Sequence, residues 1–127
     1  MKLLIGVSTV AATAAALIAV PTAAQTTSTA APPAFAACRA CHTVQKGGRN
    51  GVGPNLHGIV GRPAAATPGF NYSPALKASK LRWDEKTLHE FLAGPSKKVP
   101  GTRMPIPTPD PAKRAAIIAY LKAEGAK

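Results

Sequence analysis

Residues 38–42 read Cys38-Arg39-Ala40-Cys41-His42, and the two cysteines here are the only ones in the chain. Cys-x-x-Cys-His is the pattern at which a c-type haem is attached. Each thiol adds across one haem vinyl group to form a thioether, and the two-residue gap lets both sulfurs reach their vinyls from one helical turn. The histidine that follows is carried to the iron, where an imidazole nitrogen serves as an axial ligand. Other chemistries also use a Cys-x-x-Cys pair. A zinc site needs four ligands; no second cysteine pair exists, and His57 and His89 lack a finger spacing. A thioredoxin-like pair follows a strand of a βαβ unit, whereas the stretch before Cys38 is rich in alanine and proline without strand-like alternation. A structural disulfide is the remaining plain alternative.

Upstream of the motif, Met1-Lys2 is a short basic start, Leu3 to Val20 is apolar, and Pro21-Thr22-Ala23-Ala24 offers a small-residue cleavage site. This reads as a secretory signal over residues 1–24, with an uncleaved N-terminal anchor as the alternative. Residues 25–33, rich in alanine, threonine and proline, read as a disordered stub, and 34–127 as the single domain that a 127-residue chain suits. Export and the motif support each other, because c-type haem is attached on the far side of the membrane. The expected location is the bacterial periplasm. A domain this small has a limited core, and a buried haem would supply apolar surface that its side chains lack.

The formal net charge is +11, from 16 basic and 5 acidic residues. Three readings fit: a nucleic-acid binder, an ordinary repelling surface, or a positive face that docks on acidic proteins. Export argues against the first, and the third is favoured here.

The periodicity predicts an all-α fold with four helices. The first runs from about Ala34 to Val44 and carries the motif, with Pro32-Pro33 at its start. A long loop from Lys46 to Tyr72 follows; unstructured backbone of that length usually wraps something. The second helix has Ser73 as N-cap and Pro74 at N1, then Ala75 to Ser79. The third starts at Asp84 and ends at Gly94-Pro95, with Leu88, Phe91 and Leu92 as its apolar stripe. A proline-rich loop from Pro95 to Pro109 contains Met104. The last helix has Asp110 as N-cap, Pro111 at N1, a buried face of Ile117, Tyr120 and Leu121, and Gly125 as its stop.

A six-coordinate haem needs a second axial ligand besides His42. Met104 is the one methionine other than the start residue. A buried methionine is usually a gap filler. In Pro100-Gly101-Thr102-Arg103-Met104-Pro105, however, it sits in a proline-bounded loop that is poorly placed to be core, which favours iron ligation. Its rivals are His89, beside the apolar stripe and expected to be exposed, and His57, expected to hydrogen-bond across loops.

Cys38 to His42, Gly53-Pro54-Asn55-Leu56-His57-Gly58, Phe70-Asn71-Tyr72, Trp83 and Pro100 to Met104, in this order, closely resemble class I cytochrome c in its soluble bacterial form. The resemblance covers about residues 34–123. It implies an all-helical fold, about four helices and long loops wrapped around one covalently bound haem c, with one haem edge exposed. Cys38 and Cys41 would hold the haem, and His42 and Met104 its iron. Pro54 matches the residue whose carbonyl accepts the other N–H of the axial histidine. Arg62, Tyr72 and Trp83 match side chains that hold the buried propionate, Thr102 a hydroxyl near the haem, and His57 a loop tie.

The chain departs from the family pattern in three places. Phe91 stands where members often have a tyrosine that donates to the methionine sulfur. Leu76 replaces an asparagine that helps hold an internal water. Ala34 occupies the position of an aromatic that packs on the last helix, with Phe35 one place later.

The implied activity is one-electron transfer between partner proteins, with no catalytic residues. Candidate docking residues for acidic redox partners are Lys46, Arg49, Lys97, Lys98, Arg103, Lys113 and Arg114, on a monomer free of the membrane once the signal is cut. The competing classes are a haem peroxidase or ligand-binding protein with an open iron position, and a membrane-tethered subunit of a larger dehydrogenase or oxidase.

Overall fold

The computed structural model describes residues 30–127. The signal at 1–24 and residues 25–29 of the expected stub lie outside them. The chain order is a 3-10 turn at Pro33–Phe35, a second at Cys38–Ala40, then α1 (Pro74–Ala78), α2 (Glu85–Ala93), α3 (Pro95–Lys98) and α4 (Pro111–Gly125). Among the described residues there is no strand, and no helix is long and apolar enough to cross a membrane.

The helix starts follow from local chemistry. Ser73, Asp84 and Asp110 each turn a side-chain oxygen back onto the first-turn amides of α1, α2 and α4: Leu76 N at 3.1 Å, Thr87 N at 2.7 Å and Ala112 N at 2.8 Å. These bonds satisfy donors that have no partner inside the helix. Pro74 and Pro111 follow as first residues that need no donor.

Four boundaries differ from the sequence reading. The expected helix Ala34–Val44 is two tight turns instead, closed by bonds from Phe35 N to Pro32 O and from Cys41 N to Cys38 O. The segment has no continuous buried stripe: Phe35 and Val44 are buried, while most residues between them are exposed or half-buried. A regular helix there would have no face to bury. Residues 31–33 belong to the domain and not to a stub, because Ala31 packs against the core and Pro32 accepts the first turn bond. Within the expected loop Pro95–Pro109, α3 forms one turn. Gly125 lies inside α4; a Cβ there would come within 3.0 Å of the Gly58 Cα, so the residue allows a loop to approach the helix and does not end it.

The core gathers where the first turn crosses α4 and α4 meets α2. Phe35 is 1% exposed and meets the Tyr120 ring edge-on at 4.9 Å. The aromatic thus reaches α4 from one place later than the family pattern. A 3-10 turn carries three residues, so the spacing of an α-helix does not apply. Ile117, Ile118 and Leu121 of α4 complete the cluster with Leu88, Phe91 and Leu92 of α2. The long loop returns on itself: Gly61 N donates to Trp83 O at 2.7 Å, Trp83 N to Arg62 O at 2.8 Å and Ala64 N to Leu81 O at 2.8 Å. These bonds fix Trp83 in the core.

Ion pairs join the helices at the surface. Glu85 of α2 pairs with Lys122 of α4, and Glu90 of α2 pairs with Lys86 and with Lys98 of α3. The two ammonium groups hold the Glu90 carboxyl down at about 2, against an ordinary value of 4.5. A lowered carboxylate contributes stability that is complete above its unfolded pKa and lost as pH falls through the folded one. Thermal melts between pH 5 and pH 2 should therefore show a shallower acid loss in Glu90→Gln than in the parent chain; equal slopes would mean that the pairs do not hold α3 on α2.

Candidate haem site

Cys38 and His42 are brought together by the second tight turn, in which His42 N donates to Cys38 O at 2.9 Å. The loop of residues 51–54 then closes on the motif. Gly53 N donates to Cys41 O at 2.9 Å, and Gly51 N to Gly53 O at 2.9 Å. This brings the Pro54 carbonyl 2.7 Å from His42 Nδ1. A carbonyl can only accept, so Nδ1 carries the proton and Nε2 keeps its lone pair free for a metal. Gly53 is packed flat against the ring: a Cβ there would lie 2.3 Å from Cε1, 2.7 Å from Nδ1 and 2.8 Å from Nε2.

Behind the loop, buried Asn55 acts as a hub. Its amide nitrogen donates to Thr43 Oγ1 at 2.7 Å and Gln45 O at 3.0 Å, and its side-chain oxygen accepts from His57 N at 3.0 Å. Its own N–H donates to Asn50 Oδ1 at 2.8 Å. His57 Nδ1 lies 3.2 Å from Val44 O, the cross-loop tie expected of it. The sequence reading placed Gly53 and Asn55 in the motif that carries the resemblance but gave neither a role. Neither position belongs to a periodic pattern, and the only local sign is the Gly-x-Gly-Pro turn composition.

These elements wall a cavity of about 360 Å³, within the usual range of roughly 300–1,000 Å³ for ligand sites. Its lining is mainly apolar: Leu88, Phe91 and Leu92 from α2, Ile117 and Leu121 from α4, and Trp83. Cys38, His42, Pro54, Tyr72, Thr102 and Met104 line the same space. Predicted site residues from opposite ends of the domain, Cys38 and His42 at one end and Thr102 and Met104 at the other, thus share one chamber. Cys41 and Arg62 do not line it. The Arg62 guanidinium is engaged with His57 O and Thr67 Oγ1, both at 2.8 Å. Thr67 N in turn donates to the Tyr72 hydroxyl at 3.0 Å, so Arg62 braces Tyr72 from behind. His57 and His89, the rival ligands, are also absent from the lining.

The residues fit a haem. The chamber is apolar, a thiol and an imidazole whose Nδ1 is already bonded to the Pro54 carbonyl face it, and burial pushes the Cys38 thiol above its ordinary value. Tyr72, Ser73 and Thr102 each present a hydroxyl that already accepts a backbone N–H, from Thr67, Leu76 and Met104 respectively. The accepted bond leaves the O–H of each to donate to an anionic group in the chamber. Ser73 was read only as a helix cap; its place in the lining needed the fold. The competing zinc reading has no ligand set, since no three His, Cys, Asp or Glu side chains cluster among the described residues.

The departures from the family pattern concentrate here. Phe91 and Leu76 both line the chamber. Phe91 packs edge-on against Trp83 at 5.0 Å and offers no donor to the Met104 sulfur.

The expected docking cations divide into two sets. Lys98 is paired with Glu90, and Arg114 donates to Thr108 O at 2.9 Å and Pro109 O at 2.7 Å. Arg103 donates to Asn71 O at 3.0 Å. Lys46, Arg49, Lys97 and Lys113 are exposed, with no ion pair among the described residues. The acids are already engaged: Asp84 and Asp110 cap helices, and Glu85, Glu90 and Glu124 pair with lysines. No acid precedes Asp84, so the half of the chain that carries the motif is purely basic.

No protein-family model matches the chain. Curated relatives do. Cytochrome c2 of Rhodoblastus acidophilus is 50% identical over 97 residues, which is 73% of this chain and 91% of that protein. Cytochrome c of Ginkgo biloba is 45% identical over 86 residues, 67% of this chain and 76% of that protein. Among solved structures, cytochrome cH from Methylobacterium extorquens superposes with a TM-score of 0.66 at 52% identity, covering 71% of this chain and 91% of its own. With the attachment motif, the apolar chamber and the oriented imidazole in one all-helical fold, the chain belongs to the class I c-type cytochromes, electron carriers that hold one haem c by covalent bonds.

Proposed function

We propose that this chain is an exported carrier, acting in the bacterial periplasm, that passes single electrons between protein partners with its iron held by His42 and Met104. The observation that carries the reading is that both side chains line one apolar chamber in which the imidazole is already oriented. Cys38 and Cys41 anchor the cofactor through thioethers, and the bound haem supplies a one-electron couple at its iron. Residues 1–24 act as the export signal, which places the chain where such attachment occurs.

The protein contributes constancy and dryness. His42 is locked by Pro54 and Gly53, so its nitrogen stays in place when the iron charge changes. Met104 offers a soft thioether, which favours the ferrous state relative to a second histidine. The walls from α2 and α4 exclude water and disfavour the added positive charge of the ferric state. Val52 lines the chamber yet is 81% exposed, so the chamber reaches the surface there. Arg49 lies three residues before it. Lys46, Arg49, Lys97 and Lys113 form the free cationic set for acidic redox partners, with Arg103 at the chamber wall.

Three measurements check this reading. Gly53→Ala should displace His42 and destabilise the holoprotein by about 1–3 kcal/mol, the range for overpacking, with loss of the low-spin visible spectrum; a denaturant midpoint and spectrum equal to the parent's would refute the ring-clamp role. Electron exchange with an acidic redox protein should slow by about tenfold or more between low and physiological salt, whereas a flat stopped-flow profile would count against the cationic docking set. Phe91→Tyr should raise the reduction potential by roughly 20–60 mV, the equivalent of one hydrogen bond of ~0.5–1.5 kcal/mol to the sulfur. Redox titration decides, and an unchanged or lower potential would show that Phe91 does not tune Met104.

A further inference from the structure

We infer that Pro105, Pro107 and Pro109 are positioning residues: they stiffen the strap of residues 104–110 into an arm that holds Met104 at the chamber without hydrogen bonds along its middle. This rests on the assignment of Met104 as an iron ligand. The strap reads Met104-Pro105-Ile106-Pro107-Thr108-Pro109-Asp110, and Pro111 then opens α4. Proline stands at every second position. Each proline fixes its own φ at about −65°. Each also bars the residue before it from the helical region, because its ring clashes with that residue's backbone. Met104, Ile106, Thr108 and Asp110 all precede a proline, so no residue of the strap keeps the freedom of an ordinary chain. The backbone from 104 to 110 accordingly forms no helix or turn, and Asp110 has the extended values φ −70° and ψ 116°.

Anchorage is uneven along this arm. Its root lies on the helices: Thr108 N donates to Leu92 O of α2 at 2.6 Å, Arg114 of α4 donates to the carbonyls of Thr108 and Pro109, and Asp110 caps α4. At the other end, Met104 N donates to the nearby Thr102 Oγ1 at 3.2 Å. Between the two, residues 105–107 make no hydrogen bond among the described residues. Pro105 and Pro107 have no N–H to give, and all three residues are exposed, Ile106 at 64%. A flexible chain with so few ties would let the sulfur wander. A proline-rich chain instead extends by about 3.1 Å per residue and stays straight over several residues. The four steps from Thr108 to Met104 thus make an arm of about 12 Å. Its stiffness carries the fixed position of the root to the chamber wall, where Met104 sits. Little ordering entropy is left for bonds to offset, because the prolines restrict the open arm as well as the closed one.

Stiffness falls in the order proline, alanine, glycine. Position 107 separates stiffness from contact, since Pro107 is exposed and its loss removes little packing. In the oxidised holoprotein, imidazole competes with Met104 for the iron, and its affinity is read from the visible spectrum. That affinity should rise about two- to fivefold in Pro107→Ala and roughly tenfold in Pro107→Gly. Ile106→Ala trims the exposed neighbour but leaves every proline in place, and should stay within about twofold of the parent. Amide exchange at Met104 should accelerate in the same order as the affinities, while Thr108, in the root, keeps its parent rate. The arm is refuted if Pro107→Gly binds imidazole as weakly as the parent, or if Ile106→Ala gains as much as Pro107→Gly. Equal gains in Pro107→Ala and Pro107→Gly would also refute it, because lost contact and not lost stiffness would then be the cause. A parent holoprotein without the methionine–iron charge-transfer band would overturn the ligand assignment instead, and the Met104 exchange rates would then decide the arm on their own.

Discussion

The contact on which the site depends is the bond between His42 Nδ1 and the Pro54 carbonyl. It sets the tautomer of the ring, and with it the nitrogen that is free to ligate. The bond exists only because the chain can bring Pro54 this close, and Gly53 is what permits the approach. A methyl group at that position would overlap three ring atoms. The Asn55 hub then holds the loop in register with residues 43–45, so that the strength of one hydrogen bond is backed by several others. A polar network of this kind lies under an otherwise apolar chamber, where unpaired groups would be costly.

The rest of the fold serves to wall that chamber with few residues. The two long elements, α2 and α4, supply one apolar side of the lining, and the motif segment packs on α4 through a single large side chain, Phe35. The remaining wall is loop. Loop walls carry many backbone polar groups, and this chain satisfies them with short-range devices: the Ser73 cap, the Thr102 hydroxyl, the Thr67–Tyr72 bond and the carbonyl clamp of Arg114. Several of these groups have two uses, because a hydroxyl that accepts a backbone N–H still has a proton to donate into the chamber.

Charge is divided in the same economical way. The acids are confined to positions 84–124 and all are engaged in caps or ion pairs, which leaves the motif-bearing half of the chain without a negative side chain. The net positive field is therefore not diluted on that side. Three of the cations that looked available for docking have structural bonds: Lys98 to Glu90, Arg114 to the strap carbonyls and Arg103 to Asn71. Sequence position alone cannot separate a solvated cation from one that holds a loop.

What could be read from residue order was whatever depends on neighbours in the chain. The five residues from Cys38 to His42 name the cofactor, because thiols and imidazole must lie within one turn of each other. The caps at Ser73, Asp84 and Asp110 name the helix starts, because a side-chain oxygen reaches an amide two or three residues on. What the tertiary structure decided was everything that depends on approach between distant segments. The helix expected at Ala34–Val44 became two tight turns because Phe35 and Val44, at its two ends, are its only buried residues and make no continuous face. Arg62 braces Tyr72 from outside the chamber, and Ser73 turns from cap to lining. Gly53 and Gly125 matter for what comes near them, a ring and a backbone, and a glycine in a sequence does not announce its visitor. Local hydrogen bonds are written in the order of residues, whereas excluded volume and cross-chain bonds exist only once the chain has closed around its centre.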